Sequence, residues 1–114
     1  MTHYMKLKPF PFEMIKSGNK TIELRLFDEK RQKISLGDSI EFTNTQTCEV
    51  ITSEVIALHL FDSFRELYES LPLLKCGYTL DNIDTAHYSD MNEYYSKDEQ
   101  EKYGVLGIEL SLTI

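Results

Sequence analysis

Between Pro9 and Phe27 the apolar residues change from the period of a helix to that of a strand, with only residues 18–21 separating the two. Pro9-Phe10-Pro11-Phe12-Glu13-Met14-Ile15-Lys16-Ser17-Gly18 predicts a helix of roughly two to three turns. Proline suits its start, where an amide is unpaired anyway, and Gly18 suits the left-handed position just past its end. Phe10, Phe12, Met14 and Ile15 fall at helical spacings and are expected on an inward face. Downstream, Ile22, Leu24 and Leu26 alternate with Glu23, Arg25 and Phe27, as in a half-buried strand. A helix joined this tightly to a strand must pack beside it. Lys20, Glu23 and Arg25 therefore occupy a rigid junction.

The remaining pattern extends the same alternation of element types. Gly37-Asp38 marks a turn into the short strand Ser39-Ile40-Glu41-Phe42-Thr43, and Asn44-Thr45-Gln46-Thr47 reads as a hairpin loop. Residues 48–61 are rich in Val, Ile, Thr and Leu and long for one strand, so a bend or bulge is expected inside them. Ser63 and Glu66 form a capping-box pattern ahead of Phe64, Leu67, Tyr68 and Leu71, and Pro72 ends that helix. Residues 73–88 show no period and are expected as a loop or broken helical turns. Two short helices follow, one from Asp90 capped with Glu93, one from Ser96 capped with Glu99 and stopped at Gly104. Leu106, Ile108, Leu110 and Leu112 mark one face of a last strand. The class is α+β, a small open barrel of about five strands flanked by short helices. A barrel this small is filled by its own side chains, so a site belongs in a cleft beside it.

With 114 residues, no linker and no repeat, the chain is expected to be one domain, residues 1–114. No apolar run approaches bilayer length and no export signal opens the sequence, which points to a cytoplasmic protein without a membrane partner. Cys48 and Cys76 lack a CxxC spacing and are expected as free thiols in a reducing compartment. Net charge is −7, yet residues 6–33 carry eight Lys or Arg against four acids. One locally basic face on an acidic body follows from that asymmetry. His3, His59 and His87 have no metal-ligand spacing, and no phosphate-binding glycine loop or nucleophile elbow occurs, so no metal or cofactor is expected. His59 fits a strand wall, and His87 sits in the irregular segment.

Glu23 and Arg25 leave one face of their strand about 7 Å apart at Cα. Lys20, in the bend, can reach the same cleft. As binding groups, Lys20 and Arg25 suit a phosphate or a base edge, with Glu23 orienting them or accepting from an exocyclic amine. As catalytic groups, a lysine base and a carboxylate suit hydrolysis. A network that only steadies the junction is the third possibility. Tyr88, Tyr94, Tyr95 and Tyr103 offer stacking faces for unpaired bases, although tyrosines in such a tail also serve as core residues. Tyr94 and Tyr95 are adjacent, so one of them is expected to face the cleft.

Gly18-x-Lys20-x-x-Glu23-x-Arg25, after a Pro-led helix and before a Gly-Asp turn, resembles the GxKxxExR signature of the ASCH domain family. Tyr94-Tyr95-Ser96 and the stretch Lys102-Tyr103-Gly104-Val105-Leu106-Gly107-Ile108-Glu109-Leu110 are similar to its bacterial members. The resemblance implies a PUA-like barrel and an RNA- or nucleotide-linked role, with Lys20, Glu23 and Arg25 lining a cleft. Some compact relatives are amidohydrolases that deacetylate N4-acetylcytidine. They use a lysine matching Lys20, a threonine where this chain has Glu23, and a later glutamate for which Glu69 and Glu93 are the candidates. A carboxylate does not replace a hydroxyl nucleophile. The first expectation is therefore binding of RNA or a nucleoside- or nucleotide-like ligand by Lys20, Glu23, Arg25, Tyr94 and Tyr95. The alternatives are an amidohydrolase using Lys20 and Glu23, or a protein-interaction module.

Overall fold

The computed structural model describes residues 1–113. Five strands form one curled sheet: β1 (Thr2–Leu7), β2 (Ile22–Leu26), β3 (Ser39–Asn44), β4 (Val50–Phe61) and β5 (Val105–Leu112). Their order is β1-β3-β4-β5-β2, with β1 parallel to β3 and every other pair antiparallel. The half-barrel is open because β1 and β2 are its two edges. Three helices accompany it: α1 (Pro9–Lys16), α2 (Phe64–Ser70) and α3 (Lys97–Tyr103).

Strand β1 was not anticipated, although Thr2–Leu7 alternates regularly. His3, Met5 and Leu7 are buried while Thr2, Tyr4 and Lys6 are exposed. A polar His at the first inward position masks the pattern. The ring is accommodated because His3 Nε2 hydrogen-bonds Asp38 Oδ2 at 2.8 Å, and the same oxygen accepts from the Ser35 amide. Strand β4 is one continuous strand, with its register to β5 shifted between Val55 and Ala57. That irregularity is the expected bulge, and it lets a twelve-residue strand follow the curl.

Two apolar clusters lie on opposite faces of the sheet. Inside the curl, Met5, Ile40, Phe42, Leu106 and Ile108 close around Phe12 and Ile15 of α1. Outside it, Ile22, Leu24 and Leu26 of β2 pack with Phe64 and Leu67 of α2, Cys76 and Met91. Strand β5 is buried on both faces, with Val105 in the outer cluster and Leu106 in the inner one. The alternation of Leu106, Ile108 and Leu110 therefore described only half of its packing, and Leu112, at 37% exposure, lies beyond the covered part. Gly107 permits the outer layer: a Cβ there would stand 2.7 Å from Leu71 Cδ1.

The two predicted caps of α2 and α3 are present. The Ser63 hydroxyl accepts from the Glu66 amide, and Ser96 and Glu99 form a reciprocal box before a helix that ends at Gly104 (φ +72°). The helix expected from Asp90 starts earlier. It is a 3₁₀ helix over Tyr88–Glu93 in which His87 is the cap and Asp90 the reciprocating acid, accepting from the His87 amide at 3.2 Å. Between α2 and this turn the chain forms only short 3₁₀ pieces, Leu73–Lys75 and Ile83–Thr85, as the lack of period implied.

One inward assignment on α1 is reversed. Phe12, Met14 and Ile15 are buried, but Phe10 is 66% exposed. Four residues cannot all share one face of an eight-residue helix, and Phe12 occupies the barrel mouth. Phe12→Ala should cost about 3–5 kcal/mol of stability, as for other fully buried aromatics. Phe10→Ala should stay within about 0.5 kcal/mol. Urea denaturation of both variants checks the pair.

Candidate functional site

Helix α1 ends with Ser17 and with Gly18 in the left-handed region (φ +85°). The chain then reverses, and the Lys20 amide donates to the Met14 carbonyl at 3.0 Å. The next amide, of Thr21, donates to the carbonyl of Lys75 at 2.9 Å. These two bonds fix Lys20 between α1 and the irregular segment. Gly77, at φ +112°, covers its stem closely: a Cβ there would touch Lys20 Cδ at 3.4 Å.

On β2, Glu23 and Arg25 stand opposite Ile108 and Leu106, so they face the inner side of the curl at its open edge. Lys20 Nζ donates to Glu23 Oε1 at 2.7 Å. Arg25 donates to Glu23 Oε2 through Nε at 3.0 Å and Nη2 at 2.8 Å. Lys20 and Glu23 are 9% and 3% exposed, so this is a nearly dry triad with net charge +1. Burial by itself would raise the Glu23 carboxyl. The two cations outweigh it and hold the group at about 2, below its ordinary 4.5. Burial opposes the charge of Arg25 as well, yet Glu23 and then Tyr95 raise its pKa above the usual value.

The triad lines a cavity of about 510 Å³ between the open sheet edge, α1 and the segment that follows α2. Tyr94 and Tyr95 both border it. Their roles differ. Tyr95 is half-buried and stacks on Phe64 with centroids 6.1 Å apart, whereas Tyr94 is 65% exposed. Of the two candidate glutamates, Glu93 borders the cavity. Glu69 does not; it lies on the exposed side of α2 near Arg65. Tyr88 stacks on His87, and Tyr103 hydrogen-bonds Glu29, both away from the cavity.

Several lining residues had no sequence signal. Tyr78 donates to Asp90 Oδ2 at 2.6 Å, and its own oxygen lies 2.7 Å from the Tyr68 hydroxyl. Since the Tyr78 proton is committed to Asp90, Tyr68 is the donor of the second bond. Burial, then the Asp90 acceptor, pushes the Tyr78 hydroxyl far above its ordinary range. Cys76 is buried and its thiol is pushed up to about 11, chiefly by burial. Both cysteines are free. Phe10, Lys6 and Lys8 complete the rim. The basic bias of residues 6–33 is the one sequence feature that points to Lys6 and Lys8.

Among the described residues no group of three or more His, Cys, Asp or Glu is placed to hold a metal. None of their helices is long and apolar enough to cross a membrane.

The Glu23 pKa has a consequence for stability. A carboxyl lowered from 4.5 to about 2 stabilises the fold above its unfolded value and loses that contribution as pH falls from about 4.5 towards 2. The shift corresponds to about 3 kcal/mol. Glu23→Gln should remove that part of the acid dependence and, by leaving two cations buried together, cost about 3–5 kcal/mol at neutral pH. Denaturant titrations from pH 7 to pH 2 on both proteins measure the two effects.

The ASCH domain model matches residues 5–114. No curated protein matches the chain. Hypothetical protein PH0355 has a crystal structure that aligns with TM-score 0.82 at 30% identity, covering 99% of this chain and 100% of its own. Protein PF0455 from Pyrococcus furiosus aligns with TM-score 0.75 at 32% identity, over 98% and 97% of the two chains. ASCH from Zymomonas mobilis shares the fold, with TM-score 0.64 at 16% identity over 96% of this chain and 66% of that one. With this match over nearly its whole length, on an open five-stranded half-barrel, the chain belongs to the ASCH domain family.

Proposed function

We propose that the cavity binds one nucleoside unit of RNA or a nucleotide-like ligand, read through Lys20 and Arg25. The observation that carries this reading is the way Glu23 is used. Both its oxygens are taken by the two cations, so the carboxylate is a fixed strut and not a free acceptor. Among the described residues Lys20 Nζ makes one hydrogen bond, which leaves it positioned N–H donors for a carbonyl or phosphate oxygen, with the Arg25 guanidinium beside it. Donors held in a poorly hydrated site lose little freedom on binding and are worth more than exposed ones. The volume fits a small organic ligand. Phe10 and Tyr94, exposed at the rim, offer faces for a base. A protein-interaction module with a purely structural junction has no need of such a cavity.

Titration with the four ribonucleoside monophosphates, followed by calorimetry, tests the proposal. At least one should bind, and Arg25→Gln should weaken it tenfold or more, about 1.4 kcal/mol, while the variant still unfolds cooperatively. Absence of binding by the native protein, or undiminished binding by Arg25→Gln, sinks the reading.

The hydrolytic alternative is favoured by one observation: Glu93 borders the same cavity as Lys20. It fails at Glu23, which supplies no hydroxyl and whose oxygens are both engaged. Incubation with N4-acetylcytidine should therefore release no acetate above background. Turnover abolished by Lys20→Met would reverse this conclusion.

A further inference from the structure

The half-barrel does not close by backbone pairing, and the gap between its edges is bridged by cations. Lys30 Nζ donates to the Tyr4 carbonyl of β1 at 2.8 Å, and Arg25 Nη2 reaches the Lys6 carbonyl at 3.3 Å. The outward face of β1 runs from this seam into the cavity. Tyr4 (61% exposed) and Lys6 share that face, Lys8 continues the extended backbone, and Phe10 (66% exposed) stands where α1 begins. Lys6, Lys8 and Phe10 also border the cavity. Tyr4, Lys6 and Lys8 are spaced about 7 Å apart along the strand. An aromatic, two lysines and an aromatic thus lead from the seam to the site. Lys30 is crowded on the same side: partial burial, then Arg31 and Arg25, lower its pKa. The acids beside this path are Glu41, opposite Tyr4 on β3, Asp28, which is occupied with Arg31, and, at its cavity end, Glu93 and the Tyr78-bonded Asp90.

We propose that this strip holds the sugar–phosphate backbone of a single-stranded RNA whose terminal or looped-out base enters the cavity. The inference rests on the nucleotide reading above and sets its substrate class as a strand, not a free nucleoside. Lysines at regular spacing meet successive phosphates, and the flanking aromatics stack the neighbouring bases. A plain polyanion would use the lysines and leave Tyr4 and Phe10 idle. A duplex offers no unstacked base for the cavity. The −7 overall charge confines attraction to this face and gives weak affinity for bulk nucleic acid.

The test compares the best-binding monophosphate with its single-stranded ribohexamer, on the native chain and on the variant Tyr4→Ala/Lys30→Gln. Neither substituted residue borders the cavity. The hexamer should bind at least 30-fold more tightly than the monomer, beyond the roughly sixfold that six equal bases give by statistics. The double substitution should cost the hexamer about tenfold and lower its salt slope by about one, with monophosphate affinity unchanged. A hexamer gaining only the statistical factor, a variant that weakens monomer and hexamer alike, or equal binding of heparin overturns the strand path while leaving the cavity's nucleotide reading intact. Hexamer binding that responds to Tyr4 and Lys30, with no monophosphate bound, overturns the cavity reading and with it the entry of a base. Binding of neither overturns both.

Discussion

The buried Glu23 carboxylate sets the arrangement of this site, because two cations have to come to it. A lysine on a short link and an arginine two residues along a strand would each be expensive to bury alone. Shared by one carboxylate they are tolerated, and their geometry becomes fixed. The rest of the neighbourhood follows from that requirement. Gly18 must turn the chain so that Lys20 arrives from the end of α1, and Gly77 must approach its stem without a side chain. The edge position of β2 matters equally. Only a strand lacking a neighbour on one side can point an arginine across the opening toward β1.

Openness of the barrel is therefore the second condition for the site. A closed small barrel fills its interior with apolar side chains. Here the inner cluster stops at Leu106 and Ile108, and the next strand places Arg25 and Glu23 at the same level of the inner face. The core thus ends in a charged rim. The outer face of the same strand is wholly apolar, with Ile22, Leu24 and Leu26 covered by α2. Strand β2 is amphipathic in the reverse of the usual sense: its polar side faces the barrel's interior and its apolar side faces a helix.

Periodicity exposed most of the fold because its elements are locally consistent. Strand β3 alternates, β5 carries leucine or isoleucine at every second position from Leu106, α2 and α3 carry serine caps three residues ahead of a glutamate, and Gly104 ends α3. Strand β1 escaped because one of its three inward residues is a histidine, tolerated only through Asp38, thirty-five residues away in the chain. Asp90 was read as a cap because capping chemistry is local, whereas its chief partner, Tyr78, is held there by tertiary structure. The triad was legible for the opposite reason: Lys20, Glu23 and Arg25 lie within six residues of one another. The cavity's far wall has no period, and its Tyr68–Tyr78–Asp90 chain becomes visible only once residues 73–95 are folded over the cleft.

That far wall is what favours the proposed binding role of the charged junction over that of a brace. A structural ion triad needs only to be paired, and Glu23 pairs with both cations while leaving one positive charge uncompensated. Nothing in that requirement calls for the space beside it, nor for tyrosines whose hydroxyls are already bonded among themselves. Spending those hydroxyls on one another and on Asp90 makes this wall less polar, while Lys20 and Arg25 bring charged donors to the same cavity. A planar group bearing an oxygen acceptor on one edge matches that polarity. A ligand presenting only donors would find no acceptor at Lys20 or Arg25 and would be left with Asp90 and Glu93.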